Sequence, residues 1–283
     1  MVKDIIFKYV RDDEEEFVVD GNSYFITGIE GLDFTEWEIY SKPLAFRDGS
    51  AITGSYASGK TITLDFMAKS TADSVREAVR RFFNAKRSFK VYITYKGITR
   101  WIEGKIDGLS IPTETNYHYT SCKVAIFSES AFLMSTENSK QDISSITAMW
   151  GFPFIATENY SPVFSRFSFG DYVWFDNNGD VDTTFKATLR FIGTATNPAI
   201  YQGYRDQGVV FKLDGTFDKG DVVTIDFEHA TCTKNGVNCW ELVNPASKLL
   251  SIPMGGAYIS TQCDTGEGNM FCQIEFYNRF MGL

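Results

Sequence analysis

Short runs in which apolar and polar residues alternate, each bounded by turn residues, constrain the fold of this chain more than any other feature. Within residues 24–132 they read YFITGIEGL, TITLDFMAK, FKVYITYKG, TRWIEGKIDGL and YTSCKVAIFS. Alternation with a period of two places one set of side chains on each face of a pleated strand. The aromatic share, 16% of 283 residues, suits half-buried sheets. We therefore predict a mainly β fold.

One helix is predicted inside this half, at about residues 72–85. Its apolar residues recur at helical spacing and therefore share one face: Val75, Val79, Phe82 and Phe83. Ser74 followed by Glu77 fits a capping box at the start of the helix, and Ser70 and Thr71 are alternative caps. An amphipathic helix of this kind packs one face on a neighbouring sheet.

The polar segment STENSKQDISS, about residues 135–145, separates the two halves of the chain. Such a composition is typical of a linker. After it, closely spaced strand-like runs follow one another without a helical pattern between them, which indicates a second β-sandwich. We predict two β-sandwich domains, residues 1–134 and 146–283, joined by this linker.

The letters of a phosphate loop occur at residues 54–61, GSYASGKT. A functional phosphate loop needs a buried parallel strand before it and a helix directly after it, because the helix N-terminus and the loop amides hold the phosphates. Here ITLDFM follows, which alternates as a strand does, and the preceding LAFRDGSAIT is polar and rich in turn residues. We interpret the motif as a flexible hairpin loop, with a nucleotide hydrolase that uses Lys60 and Thr61 as the alternative.

The charge balance argues against nucleic acid as a partner. The formal net charge is −9 and the pI is about 4.9, whereas sequence-independent binding to DNA depends on clustered Lys and Arg. The first residues become acidic too early for a signal peptide, and no run approaches the roughly 20 apolar residues of a membrane span. We expect a soluble, unexported product that neither crosses a membrane nor reads a nucleic-acid sequence.

No catalytic, metal or cofactor site is predicted. The two histidines, His118 and His229, lie away from any nucleophile elbow. Residues 176–182, DNNGDVD, offer oxygen ligands at alternate positions, but the glycine comes too early for a calcium-binding EF-hand loop. This segment is interpreted as a turn between two strands.

The five cysteines form no CxxC pair and are expected to be buried free thiols. A bridge between Cys232 and Cys239 across a hairpin is the alternative, and these two also lie near Cys263 and Cys272 in the sequence. The disulfide state of these four residues stays open at this level.

The order of the elements resembles the distal tail proteins of long-tailed phages and prophages, which form the hub of the tail tip or baseplate. In the first half the likeness rests on YFITGIEGLD, the glycine-rich turn into KTITLDFMA, VRRFFNAK, FKVYITYKGITRWIEGKIDGLSI and YTSCKVAIFSESAFL. In the second half it rests on FDNNGDVDTTFKATLRFIGTATNPAIY, GDVVTIDFEHATCTKNGVN, PMGGAYISTQC and CQIEFYNRFMGL. The order of these pieces along the chain, more than any one of them, carries the resemblance.

The resemblance implies a non-enzymatic structural protein that forms a homohexameric ring. It implies that the first domain is a tail-tube-like β-sandwich with a flanking helix, and that the second is similar to a galectin or a carbohydrate-binding module. The partners it implies are further copies of the chain, the major tail tube protein, the tail-associated fibre or lysin protein and a receptor-binding protein. The location it implies is the virion tail tip, after synthesis in the cytoplasm of a bacterial host.

Residues 33–57 are predicted to form the arm that joins one subunit of the ring to the next. Trp37, Tyr40 and Phe46 give this segment more apolar mass than a surface loop needs, while Pro43 and the glycines argue against regular structure throughout. Lys60, which follows the arm, is predicted at a subunit or tube contact.

A carbohydrate-binding module for host surface glycans is the rival function for the second domain. Aromatic rings on a concave sheet stack on sugars, and the residues predicted to do so are Trp174, Tyr201, Tyr204 and Trp240. The same residue types are expected inside the core of a sandwich, and we favour the core interpretation.

Overall fold

The computed structural model describes residues 4–33, 35–68, 73–112, 119–148, 165–169, 172–203 and 208–283. The chain divides into two compact units, Met1–Thr136 with Arg279–Leu283, and Glu137–Asn278. Residues 279–283 thus return to the first unit, although the sequence assigned them to the second domain. We call residues 279–283 the return segment.

Alternating residues of the first half form the expected strands. The elements of the first unit before residue 137 are β1 (Ile5–Arg11), β2 (Glu16–Val19), β3 (Tyr24–Glu30), β4 (Trp37–Pro43), β5 (Ser50–Ala57), β6 (Lys60–Ala68), α1 (Asp73–Phe82), β7 (Ser88–Tyr95), β8 (Ile98–Ser110), β9 (Thr120–Ser128) and β10 (Leu133–Ser135). Seven strands pair antiparallel in the order β2-β1-β7-β8-β9-β6-β3, and β10 pairs with β8. The strands β4 and β5 form a separate two-stranded sheet.

The long strand β8 connects the two sides of the first unit. Its first part pairs with β7 and its last part with β9, with a register shift between Ile106 and Gly108. A side chain at Gly104 would place its Cβ 2.4 Å from the carbonyl oxygen of Phe127. Because only glycine allows this approach, and because a bulge bends a strand, the sheet can fold over its own core at this point.

The helix α1 forms within the range that its periodicity predicts, and it packs its apolar face on the core. Val79, Phe82 and Phe83 are buried. The rings of Phe82 and Phe83 meet edge to face with centroids 5.0 Å apart, and Phe17 from β2 lies 5.3 Å from Phe82. Aromatic contacts of this kind add to the burial of apolar area, so α1 closes one side of the first core.

The second unit is built without α-helices among its described residues. Its strands are β11 (Ser139–Asp142), β12 (Ser144–Ala148), β13 (Ser165–Phe169), β14 (Val173–Phe175), β15 (Lys186–Phe191), β16 (Ala195–Thr196), β17 (Ala199–Gln202), β18 (Val209–Lys212), β19 (Thr216–Phe217), β20 (Val222–Asp226), β21 (Thr231–Lys234), β22 (Val237–Asn238), β23 (Ala257–Gln262) and β24 (Met270–Phe276). Short 3-10 helices span Trp240–Leu242 and Glu267–Asn269.

Two antiparallel sheets enclose the core of the second unit. One has the order β11-β24-β15-β20-β21-β22 and the other the order β14-β23-β17-β18. Both sheets contribute buried apolar residues to one cluster, for example Leu189 and Ile274 from the first sheet and Phe175, Phe211 and Ile259 from the second. The prediction of a mainly β chain with two sandwich domains is confirmed.

The polar segment 135–145 is not the linker that its composition predicts. Ser139–Asp142 pairs antiparallel with β24, and Ser144–Ala148 pairs with β13. The strand β11 lies at the edge of its sheet, where one ladder of hydrogen bonds suffices and polar side chains face solvent. The polar composition of this segment therefore reflects an exposed edge strand.

The return segment completes the first unit with one more strand, β25 (Arg279–Phe280). β25 pairs with β10, so that Leu133 lies opposite Phe280 and Met134 opposite Arg279. Leu133 is fully buried, and Phe280 packs against the same core. The segment thus adds to the sheet of the first unit although it comes after the whole second unit in sequence.

Replacing Ile93 with Ala is expected to lower the free energy of unfolding of the first unit by about 2–5 kcal/mol, because it leaves a cavity among fully buried residues. The matched change Ile98→Ala, at a side chain that is 61% exposed, should alter it by less than about 0.5 kcal/mol. Chemical denaturation measures both values. Equal losses would contradict the core assigned to this unit.

Candidate assembly surface

The segment predicted as an arm is a regular antiparallel hairpin. In it Trp37 pairs with Ala57 and Pro43 with Ser50, and the register shifts between Tyr40 and Ser41. Every residue of β4 and all of β5 except Ala57 are exposed. The expectation that Pro43 and the glycines prevent regular structure is wrong, because Pro43 stands in the last pair before the turn, where a missing amide costs least.

Both faces of this hairpin carry apolar side chains that meet solvent. Strand alternation places Trp37, Ile39 and Ile52 on one face, and Ile39 and Ile52 are 61% and 70% exposed. Tyr40 and Tyr56 lie on the other face, also exposed. Together with Leu44 and Phe46 at the turn, these make seven exposed large apolar side chains in one short hairpin.

The tip of the hairpin projects its aromatic residue fully into solvent. Phe46 is 106% exposed and has a φ of 60°. A bulky residue in the left-handed region is uncommon and costs conformational energy, since its Cβ crowds the backbone. The hairpin therefore holds this ring outward without any contact that would offset the cost in the isolated chain.

The tyrosine face of the hairpin is held by cross-strand contacts. The rings of Tyr40 and Tyr56 stack with centroids 5.6 Å apart, and the Tyr56 hydroxyl donates a hydrogen bond of 2.5 Å to the Glu38 carboxylate. This hydrogen bond, followed by that with Tyr40, raises the pKa of Tyr56 well above its usual value. Tyr56 therefore stays a donor over the whole physiological range of pH.

The phosphate-loop letters are divided between two strands. Gly54 and the next three residues belong to β5, Ser58 and Gly59 connect the strands, and Lys60 begins β6. The helix that a phosphate loop requires is absent here, since β6 runs on to Ala68. The prediction of a strand after the motif agrees with the structure, but the flexible loop shrinks to two residues.

The Lys60 ammonium points into the first unit. The residue is 5% exposed, and Nζ donates a hydrogen bond of 2.8 Å to the carbonyl oxygen of Met281. Burial lowers the pKa of Lys60, and the nearby charge of Asp33 opposes that shift. In the single chain the ammonium group is thus bound by its own backbone, and a role of Lys60 at a subunit or tube contact stays a prediction.

In the second unit, two of the predicted stacking residues share one face of a sheet. Trp174 pairs with Tyr258, and Tyr201 pairs with Ser260. Phe175, the neighbour of Trp174 in sequence, points into the core, so alternation places these four residues on the opposite face of the sheet, where Tyr201 is half-buried and Ser260 is buried. Trp174 is 46% exposed and meets the Tyr258 ring edge to face at 4.9 Å.

The other two predicted stacking residues do not join this face. Trp240 lies on a 3-10 helix, and its ring is 6.3 Å from that of Phe211, which belongs to the core of the sandwich. Tyr204 lies outside the described residues. The aromatic neighbours of Trp174 are instead Tyr258 and, beyond it, Tyr172, whose ring is 5.2 Å from that of Tyr258.

Three comparisons place this geometry among known proteins. The family model of the siphovirus-type tail component, C-terminal domain (SPP1 Dit), matches residues 178–280. The chain is similar to the crystal structure of the Dit protein of phage SPP1, with a TM-score of 0.70 and 12% identity over 97% of this chain and 99% of that one. No curated protein sequence matches the chain.

Residues 178–280 therefore resemble the C-terminal domain of the siphovirus-type tail component, and the chain as a whole has the fold of the SPP1 Dit protein. The match is to a phage tail component, which supports a structural protein over an enzyme.

Two further structures have the same fold. A chain of the phage P2 baseplate, in its activated conformation with calcium, matches with a TM-score of 0.54 and 8% identity over the full length of both chains. A chain of the corresponding structure with strontium matches with a TM-score of 0.52 and 10% identity over 99% of both. These likenesses show the fold of the distal tail protein described above.

The described ranges hold no cluster of His, Cys, Asp or Glu that could bind a metal ion. In the same ranges no helix has the length and apolar character needed to cross a bilayer. In the calcium-like segment the Asn177 side chain is buried and donates hydrogen bonds to the carbonyl oxygens of Val181 and Ile252. The side-chain amide of Asn177 therefore stabilises the backbone of this segment.

The five cysteines are free thiols. Burial raises the pKa of Cys122 to about 11 and that of Cys263 to about 12. The Sγ atoms of Cys232 and Cys239 lie 3.4 Å apart across a tight hairpin. Thiols with raised pKa values hold little thiolate, so they are inert at neutral pH.

Sequence reasoning missed several residues of these surfaces. Ile39, Ile52 and Tyr56 are exposed on the hairpin together with the three arm residues that it named, and Tyr258 supports Trp174. Alternation could have found them, since Ile39 follows Trp37 by two positions in the strand. Pairing of β4 with β5, and of β14 with β23, is the information that the sequence did not supply.

Neither ATP nor GTP is expected to bind at millimolar concentration, because Lys60 is buried and the motif's backbone lies in strands. Isothermal titration calorimetry should detect no heat of nucleotide binding for the wild-type chain or for Lys60→Met. Binding that Lys60→Met abolishes would contradict the assignment of Lys60 to the core.

Proposed function

We propose that this chain is a distal tail protein that assembles into a homohexameric ring through the β4–β5 hairpin. The ring joins the tail tube to the tail-associated fibre or lysin protein and docks receptor-binding components. The exposed hairpin is the observation that carries the proposal, and the number of six copies follows from the resemblance to the family.

The hairpin needs a second surface to bury its apolar side chains. An isolated two-stranded hairpin is marginally stable in water, because it has no core of its own. Trp37, Ile39 and Ile52 on one face, and Phe46 at the tip, stay in solvent in a single chain. A neighbouring copy that covers them removes this apolar area from water, at about 25 cal/mol for each Å².

Apolar contact rather than charge is expected to hold the hairpin on its neighbour. Within residues 37–57 the two acids, Glu38 and Asp48, balance the two bases, Lys42 and Arg47. A segment without net charge neither steers nor repels a second copy of a chain whose net charge is −9. The ring should therefore tolerate high salt.

The remaining partners follow from the place of the family in the virion. The SPP1 protein is described as a paradigm of the hub adsorption apparatus in phages that infect Gram-positive bacteria. We propose the same position for this chain, with the tube protein on one side of the ring and the fibre or lysin protein on the other. The acidic balance supports a ring around a DNA path, since a conduit should not hold passing phosphates.

A chain with the double change Ile52→Asp and Phe46→Asp is expected to be monomeric at concentrations where the wild-type chain forms a hexamer. Carboxylates at these positions would have to be buried in the contact, which is strongly unfavourable. Size-exclusion chromatography with light scattering measures the mass, and negative-stain images show whether a six-fold ring with a central hole is present.

The matched control is Val237→Asp, at a side chain that is 71% exposed in the second unit. It adds the same group away from the hairpin and should leave the mass unchanged. Circular dichroism should show the same fold for all three chains. A closed ring formed by the double variant, or a monomeric wild-type chain at micromolar concentration, would contradict the proposal.

Binding of host surface glycans is the second function that a specific observation favours. Trp174 is nearly half exposed, and its ring lies against Gly256, where a Cβ would come within 2.6 Å of the indole. Tyr258 supports it from the side. A flat ring held in place and open on one side is what a sugar stacks on.

Trp174→Ala is expected to abolish any binding of the chain to cell-wall glycans on an array, because it removes the stacking surface. Trp240→Ala removes an indole of similar exposure elsewhere in the same unit and should change nothing. The glycan function fails if the wild-type chain binds no glycan, or if Trp240→Ala weakens binding as much as Trp174→Ala does.

A further inference from the structure

The two ends of the hairpin meet on one carbonyl oxygen. Lys60 begins the strand that follows the hairpin, and its Nζ lies 2.8 Å from the oxygen of Met281. Thr35 precedes the hairpin, and its hydroxyl shares one proton between the carbonyl oxygens of Ala131 at 2.8 Å and Met281 at 3.1 Å. The base of the arm is thus tied to the return segment.

Several contacts fix the return segment and therefore the position of the Met281 carbonyl oxygen. Its strand pairs with β10, and the Arg100 guanidinium lies 3.6 Å from the centroid of the Phe280 ring and donates a hydrogen bond to the Gly282 carbonyl. At Gly282 a Cβ would come within 2.8 Å of the Asp33 carbonyl oxygen, so only glycine fits. These contacts all belong to the first unit.

Water cannot easily replace the contacts at the base. Thr35 is 1% exposed and Lys60 is 5% exposed. When a buried donor loses its partner, it keeps the full cost of desolvation. The loss of the Met281 carbonyl would therefore remove this acceptor from the buried Lys60 ammonium and leave the Thr35 hydroxyl with the Ala131 carbonyl alone, which weakens the base at both ends of the hairpin. The ring of Phe132, 6.4 Å from that of Trp37, adds an apolar contact at the same level.

We propose that the return segment is a clasp that fixes the base of the hairpin and so sets the position of the arm. The proposal rests on the assembly role proposed above for the hairpin. Residues 279–282 follow the entire second unit in the chain, so a nascent first unit holds a loose arm until they dock. Ring formation is thereby delayed until the second domain has been made.

Hydrogen–deuterium exchange tests the clasp without reference to the ring. Lys60→Met keeps the length of the side chain and removes the donor, and it should speed amide exchange in residues 37–57 by about tenfold or more, because the base opens more often. Exchange in β9, which pairs with β6, should stay unchanged. Lys105→Met, at an exposed position of the same sheet, is the matched control and should have no effect.

Two other variants carry the test if Lys60→Met folds poorly. Thr35→Val removes the second donor, and a chain that stops after Asn278 removes the whole return segment. Each should speed exchange in the hairpin and lower the fraction of chains in rings, by light scattering, at a concentration where the wild-type chain assembles. Wild-type exchange rates in the hairpin of all folded variants would overturn the clasp.

The outcomes separate this proposal from the one on which it rests. If the wild-type chain is monomeric but the variants loosen the hairpin, the assembly role fails and the clasp stands. If rings form equally in wild-type and variant chains and the hairpin exchanges at the same rate, the clasp fails and the assembly role stands.

Discussion

A two-stranded sheet has no interior, and that constraint governs how the first unit of this protein is built. The hairpin formed by β4 and β5 carries apolar side chains on both faces and at its tip, yet none of its strands joins the larger sheet. In a single chain, the hairpin is held by the stacked tyrosines and by its base. Its most exposed apolar side chains, Ile39, Ile52 and Phe46, stay in solvent in the described part of the chain, which is what the assembly role proposed above requires.

The base of the hairpin is stable because the sheet beneath it is completed from far along the sequence. β8 pairs with β10, and β10 pairs with β25. The strand of the return segment therefore extends the sheet of the first unit by one more strand. Long-range pairing of this kind costs loop-closure entropy, which grows slowly with the length of the loop. A whole domain can therefore stand between β10 and β25 in the sequence without much penalty.

Much of this fold could be predicted from alternation, because alternation reports which face of a strand is buried. The runs TITLDFMAK and YTSCKVAIFS became β6 and β9, and the spacing of Val79, Phe82 and Phe83 predicted the buried face of α1 and of the residue that follows it. Pairing partners could not be predicted, since many strands offer similar edges. For that reason the return of residues 279–283, the edge strand at Ser139–Asp142 and the contact between Trp174 and Tyr258 appeared only in the structure.

The residues of the phosphate-loop motif are explained by the local structure, without a bound phosphate. Gly59 is required because a Cβ there would lie 2.7 Å from both the Phe127 ring and the Ser128 carbonyl. Lys60 is required because a cation on a long stem can reach the Met281 carbonyl from inside the unit. Thr61 is a β-branched residue in a strand, whereas a side chain at Gly54 would meet only open space. The phosphate-loop motif thus arises here from a tight connection between two strands, followed by a buried lysine. In a nucleotide-binding fold this lysine would bind a phosphate, whereas here it donates a hydrogen bond to the chain's own backbone.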